Sequence, residues 1–153
     1  MDYKKLFPIF ETHKELAYLD SAATNQKPEK VIKAIDEYNR KFNASPNRGS
    51  YGISVEATCQ YNQAKGKVAK FIGAKNTEII FVKSSTEGLN LLANSFSYEL
   101  TKEDNILVGI TSHHSNIVPW QEVKRRTGAE LRYIYLDKNG EFDYDDLESK
   151  LDS

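Results

Sequence analysis

Hydrophobic positions along this chain follow a helical period in its first half and a mixed period afterwards. Val31, Ile35, Tyr38 and Phe42 recur three or four residues apart. That spacing predicts an amphipathic helix, with Pro28 suited to its first turn. Ile53, Ala57, Tyr61, Ala64, Val68 and Ile72 then form the stripe of a longer helix, and Gly73 is placed to cap it in the left-handed conformation. Cys59 falls roughly 160° from the centre of that stripe at about 100° per residue, so it is expected to be exposed or to face another layer. Pro46, Gly49 and Gly52 make residues 43–52 a loop. Ahead of these elements, Tyr3 to Lys14 reads as a partly helical arm interrupted by Pro8. Leu16 to Leu19 reads as a brief extended piece, ended by the small-residue loop Asp20-Ser21-Ala22-Ala23-Thr24.

From residue 78 the pattern alternates. Glu78 to Val82 is predicted as a buried strand, followed by a helix carrying Leu89, Leu92, Ala93 and Phe96. Ile106 to Ile110 is predicted as a second strand, with a helix from about Asn116 to Thr127 that ends at Gly128. Leu131 to Leu136 is predicted as a third strand. Asn139-Gly140 makes a turn, and Asp143 is placed to cap a last helix with Tyr144, Leu147 and Leu151 inward. Alternating strands and helices imply an α/β fold, with a small, mostly parallel sheet flanked by helices. Two segments emerge, residues 1–52 as arm, helix and loop and residues 53–153 as an α/β domain. A sheet of three strands is small for its class, and the chain stops where another strand would follow, so the expectation is a fragment of a larger fold.

Composition narrows the class without choosing within it. The 153 residues carry 21 basic and 22 acidic side chains, a formal charge of −1, which gives no pull towards nucleic acid or an anionic membrane. Neither a secretory leader nor a membrane-spanning run is visible, so a cytoplasmic setting is expected. One cysteine leaves no intramolecular disulfide and no multi-cysteine zinc site.

Candidate chemistry gathers at two predicted strand-to-helix turns, the edge where open α/β sheets bind ligands. Ser84-Ser85-Thr86-Glu87 opens the first helix. Free amide groups and small hydroxyls there suit an anion, although the same residues also read as a helix cap. His113 and His114 open the second. Adjacent residues in a turn point different ways, and no Cys, Asp or Glu stands at metal-ligand spacing, so no metal is expected. An imidazole here can stack on an aromatic ring, move a proton, or serve as a structural donor to the backbone. Arg48, in a loop, can grip a carboxylate or remain solvated. Trp120, at helical spacing from Ile117 and Val123, reads as core.

In order along the chain, Tyr18-Leu19-Asp20-Ser21-Ala22-Ala23-Thr24, Asn47-Arg48-Gly49, Glu78-Ile79-Ile80-Phe81, Ser85-Thr86-Glu87-Gly88-Leu89-Asn90 and His113-His114-Ser115-Asn116-Ile117-Val118-Pro119-Trp120-Gln121 resemble the N-terminal part of cysteine desulfurases. The match is to the Suf-type branch of the class V aminotransferase group, and it covers nearly the whole chain. The resemblance implies the N-terminal part of the large domain of fold-type I pyridoxal-phosphate enzymes. It also implies conversion of L-cysteine to L-alanine, with the cofactor as electron sink and the sulfur passed to an enzyme cysteine as a persulfide, for iron–sulfur cluster assembly or other delivery. A homodimer and a sulfur-acceptor protein are implied as partners.

By motif, Ser85 and Thr86 would bind the pyridoxal phosphate group. His113 would stack on its ring and assist proton transfer. Ala22, Ala23 and Arg48 would border the substrate pocket. The chain departs from the pattern in having Ser84 and Ser85 where the family usually has glycine and threonine. It also reads Asn47-Arg48-Gly49-Ser50-Tyr51 where the Suf branch often carries two histidines. The family's pyridine-facing aspartate, Schiff-base lysine and persulfide cysteine lie beyond residue 153, and no Ser-His-Lys motif occurs. The expectation is therefore that these 153 residues alone are inactive. A selenocysteine lyase or another class V aminotransferase, and a non-catalytic interaction module, are the alternatives.

Overall fold

The computed structural model describes residues 2–151. The chain divides into two compact units, Met1–Ile80 and Phe81–Ser153.

The first unit is helical. A 3-10 turn at Tyr3–Leu6 leads through Pro8 into the short helix α1, Ile9–Thr12. Pro8 splits the arm because its ring removes a backbone donor. Helix α2 spans Glu29–Lys41, with Pro28 as its extended N-cap. It buries no residue, and ion pairs run along it between Lys33 and Glu29, Arg40 and Asp36, and Lys41 and Glu37. Helix α3 spans Gly52–Ile72 and ends at Gly73 with φ 72°, the left-handed cap expected for glycine.

The buried face of α3 matches the expected stripe at Ala57 and departs from it at both ends. Ser54, Ala57 and Ala69 are buried, while Ile53, Val68 and Ile72 are exposed. The loop before the helix folds onto its first turn, where Ser54 donates to the Ser45 carbonyl at 2.8 Å. Small residues permit that close approach, which a stripe drawn from hydrophobicity alone does not anticipate. Cys59 is exposed, as its angle predicted.

The expected strand at Glu78–Val82 does not form. Glu78 closes a 3-10 turn, Asn76–Glu78, and Ile79 continues extended at φ −98° and ψ 125°. Ile79 is buried and Ile80 is 70% exposed, the alternation of a strand. Yet the described ladder residues lie elsewhere. Apolar composition and extended backbone are not enough, because a strand exists only when a neighbour shares its hydrogen bonds.

The second unit holds the sheet. Helix α4, Ser85–Phe96, precedes β1, Asn105–Gly109; helix α5, Val118–Thr127, then leads to β2, Glu130–Ile134. The two strands pair in parallel, with Ile106 opposite Leu131 and Val108 opposite Tyr133. Among the described residues the sheet has these two strands rather than the three expected. Helix α5 packs on α4 and on β2, so the unit is a β-α-β element with an added helix.

Val108, Val123, Ala129, Leu131, Ile134 and Ala93 are its buried apolar residues. Trp120 is half-buried and its ring centroid lies 6.5 Å from that of Phe96, joining α5 to α4. Gly128 caps α5 at φ 81°. Leu136 bridges antiparallel to Phe142 around the Asn139-Gly140 turn, and Asp143 caps helix α6, Tyr144–Ser149, by accepting from the Asp146 amide at 3.0 Å. Tyr144 and Leu151, expected inward, are exposed. The Tyr144 ring instead meets Phe142 edge-on at 5.6 Å. No helix of the described residues is long and apolar enough to cross a membrane.

Candidate functional site

The start of α4 separates capping from the donors left over. Ser84 is extended, and its hydroxyl accepts from the Glu87 amide at 3.2 Å. The first in-helix bond runs from the Gly88 amide to the Ser84 carbonyl. The Glu87 carboxylate turns back to accept the Lys83 amide. Those bonds occupy the amides of Lys83, Glu87 and Gly88. Among the described residues, no hydrogen bond engages the amides or hydroxyls of Ser85 and Thr86. Both residues are exposed. Two amides and two hydroxyls at the positive end of a twelve-residue helix therefore form a donor set suited to a phosphate. The cap reading and the ligand reading fall on different residues of the same tetrad.

The carboxyl end of β1 leads into the second element. The Ile110 amide extends the ladder to Ile134, and the Ser112 amide closes a turn on Gly109. His113 follows as the N-cap of a 3-10 turn, His114–Asn116. Its Nδ1 accepts the Ser115 amide at 3.2 Å and lies 2.9 Å from the Ser115 hydroxyl. An amide can only donate, so Nδ1 is the acceptor nitrogen and the neutral ring carries its proton on Nε2. Both histidines are exposed, with ring centroids 6.1 Å apart at 74°. Their planes are steeply inclined to one another. Among the described residues, no group of three His, Cys, Asp or Glu could hold a metal ion.

The histidine turn packs against α4 and α5. Asn116 accepts from the Trp120 indole at 3.4 Å, and Gln121 donates to the Tyr133 hydroxyl at 3.0 Å. Within this unit, Ser85, Thr86 and His113 thus sit on elements packed together. The Glu122 carboxyl is held below its ordinary range, first by the Arg125 hydrogen bond and then by the charges of Arg125 and Arg126.

Ala22, Ala23 and Arg48 belong to the first unit. The Tyr18 hydroxyl donates towards the carbonyls of Asp20 and Thr24, and the amides of Ala23 and Thr24 return to Asp20. This ties Ala22 and Ala23 into a tight exposed loop, and their neighbour Ser21 lines a groove of about 410 Å³ with Phe7, Phe10 and Tyr18. Arg48 is exposed in the loop before α3. The sequence does not single out Ser54 and Thr58, which fix the backbone around Arg48, or Ser115, whose amide holds the His113 ring. Ser115 was visible as a hydroxyl two residues after a histidine, but Ser54 and Thr58 lie on a helix face with no such signal.

Residues 17–153 match the Aminotransferase class-V family. The chain is 42% identical over 155 residues to the "Probable cysteine desulfurase" of Halalkalibacterium halodurans, covering 98% of this chain and 38% of that protein. It is 45% identical over 139 residues to the cysteine desulfurase of Cronobacter sakazakii, covering 90% of this chain and 34% of that protein. In structure it is similar to the apo cysteine desulfurase of Thermococcus onnurineus NA1, with a TM-score of 0.88 and 37% identity over 97% of this chain and 36% of that one. The α/β fold and the family agree, and the chain belongs to the class V aminotransferases. The chain spans less than two fifths of the length of the curated relatives it matches.

Proposed function

We propose that this chain is the N-terminal part of a Suf-type, pyridoxal-phosphate-dependent cysteine desulfurase. The enzyme would convert L-cysteine to L-alanine and pass the sulfur to an enzyme cysteine as a persulfide. The observation that carries this reading is the pair Ser85 and Thr86, whose amides and hydroxyls remain available after Ser84 has capped α4. That donor set fits the phosphate of the cofactor. Bound there, pyridoxal phosphate would supply an electron sink for the substrate carbon.

The chain's own residues would bind, orient and move a proton. Ser85 and Thr86 would donate to the phosphate oxygens. His113 would lie against the cofactor ring, its orientation set by the Ser115 amide on Nδ1, and would move a proton at Nε2. Ala22 and Ala23 would border the substrate pocket with side chains small enough to admit the ligand. Arg48 would address the substrate carboxylate.

By role, residues 1–52 form the arm, helix and loop that border the substrate, and residues 53–153 the first part of the cofactor-binding domain. The sequence contains no Ser-His-Lys motif, and Cys59 lies on the exposed face of α3 beside Gln63. The 153 residues alone are therefore expected to lack turnover. A cytoplasmic homodimer delivering sulfur to an acceptor protein, for iron–sulfur cluster assembly, completes the reading.

The test uses the protein at the length its gene encodes, purified and loaded with pyridoxal phosphate. Release of L-alanine from L-cysteine is expected, with sulfide freed from the enzyme persulfide when a dithiol reductant is added. Failure to take up the cofactor overturns the reading. Cofactor uptake with activity confined to selenocysteine, or to amino-group transfer, replaces the desulfurase with another class V activity.

A further inference from the structure

Arg48 differs from the other arginines of the chain. Arg40 pairs with Asp36, Arg125 and Arg126 with Glu122, and Arg132 with Glu130. Among the described residues, Arg48 has no hydrogen-bonding or ion-pair partner. A solvated arginine is ordinary on a loose loop, but the backbone here is fixed from three sides. Asn47 adopts φ 60°, the one positive φ of a non-glycine residue among the described residues. Its amide donates to the Thr58 hydroxyl at 2.9 Å, and that hydroxyl donates onward to the Ser54 carbonyl at 2.8 Å. The Ser54 hydroxyl, with its residue fully buried, holds the Ser45 carbonyl at 2.8 Å. At Gly49, a Cβ would come within 2.5 Å of the Tyr51 ring and 3.0 Å of the Ser54 hydroxyl.

We propose that Thr58 and Ser54 are positioning residues, which hold the Asn47-Arg48-Gly49 backbone so that Arg48 meets the carboxylate of a small amino-acid substrate. The proposal rests on the functional reading above and adds two residues to it. A fixed loop backbone leaves less freedom to be lost when its guanidinium binds, which is where preorganisation adds affinity. Its planar fork matches a carboxylate in two parallel hydrogen bonds. Residues 43–52 contain no second cation, so the loop fits a monoanion better than a phosphate dianion. Thr58 acts through Asn47: without its hydroxyl the Asn47 amide loses its acceptor and the left-handed turn loses its tie.

The experiment follows the side-chain Nε–H resonance of Arg48 in the gene-length protein, labelled with [15N]arginine and assigned with Arg48→Lys. L-Alanine, which is the product of the proposed reaction and carries the same carboxylate as the substrate, is titrated in. A saturable shift is expected in the wild type. Thr58→Val should raise Kd roughly five- to tenfold, and Thr58→Ser should stay within about twofold, because only the hydroxyl is needed. In turnover, Thr58→Val should raise KM for L-cysteine more than it lowers kcat. Circular dichroism melting of the variants verifies that both fold.

An Arg48 resonance indifferent to L-alanine overturns the proposal, as does a Thr58→Val protein that folds and binds like the wild type. Tighter binding of inorganic phosphate than of L-alanine overturns the carboxylate assignment. Turnover of L-cysteine with wild-type KM in Thr58→Val sinks this inference and leaves the desulfurase reading standing. Saturation by L-alanine in a protein that takes up no cofactor does the reverse.

Discussion

Lys150 and Asp146 meet at 2.7 Å between Nζ and Oδ2, and the same ammonium donates to the Tyr133 carbonyl at 2.7 Å. Asp146 Oδ2 also accepts the Tyr135 amide at 2.9 Å. One ion pair one helical turn apart therefore fastens α6 to β2 and to the residue that follows it. Arg132 adds a bond to the Lys150 carbonyl at 2.8 Å.

This attachment gives way in acid. The Lys150 hydrogen bond, and after it the Tyr135 amide, hold the Asp146 carboxyl below its ordinary range. A carboxylate depressed in the folded state contributes stability above its unfolded value, about 3.9 for aspartate. That contribution disappears as pH falls through the lowered folded value. The Tyr135 amide resonance should move across that window, and Asp146→Asn should flatten the movement. Asp104, held down by the Thr101 amide and hydroxyl, and Asp137, held down first by the Glu141 amide, titrate in the same direction.

Substitutions at the start of α4 should divide by role. Ser84→Ala removes the cap acceptor and is expected to cost about 1 kcal/mol in chemical denaturation. Ser85→Ala and Thr86→Ala remove hydroxyls with no partner among the described residues and should cost less than about 0.5 kcal/mol. Each should nevertheless weaken uptake of pyridoxal phosphate about tenfold while leaving pyridoxal, which lacks the phosphate, little changed.

Gly128→Ala should destabilise the second unit by roughly 1–2 kcal/mol, because a side chain at φ 81° is strained. The new Cβ would also lie 3.3 Å from the Lys102 Cβ. Gly73→Ala meets open space at φ 72° and carries the backbone cost alone. Thermal melting of both variants measures the difference.

For His113, catalysis and folding should separate. His113→Asn keeps an acceptor that can reach the Ser115 amide, so its melting should follow the wild type. The loss of the imidazole should lower kcat by roughly a hundred- to ten-thousandfold. Equal turnover in His113→Asn would remove the histidine from the chemistry.

The sequence spelled out features whose cause is local. Gly73 and Gly128 were readable as helix ends because only glycine sits easily at positive φ, and both do so. Asp143 was readable as a cap from its place before α6. Features that depend on a neighbour were less legible. Residues 78–82 have strand composition, but a ladder is a property of two segments. The inward face of α3 was assigned to Ile53 and Val68, whereas the loop covers Ser54. Spacing places Tyr144 and Leu151 inward, although a helix of six residues held by one ion pair and its hydrogen bonds to Tyr133 and Tyr135 has no need of them. At the site, Ser85, Thr86 and His113 were marked by residue type, while the hydroxyls that fix the loop of Arg48 carried no signal of their own.

Helix α2 has a kinetic consequence. Its thirteen residues bury none of their side chains, and among the described residues its ion pairs are between its own neighbours, so its cohesion is largely local. Exposed pairs of this kind contribute about 0.3–0.5 kcal/mol each and weaken as salt is added. Tyr38 supplies a bond beyond the helix, from its hydroxyl to the Ala44 carbonyl at 3.2 Å. Amide protons along α2 should therefore trade with solvent by opening of that segment alone, long before those of β1 and β2, and faster at high ionic strength. The chain carries two clocks: a slow one set by the sheet, and a fast one that salt can advance.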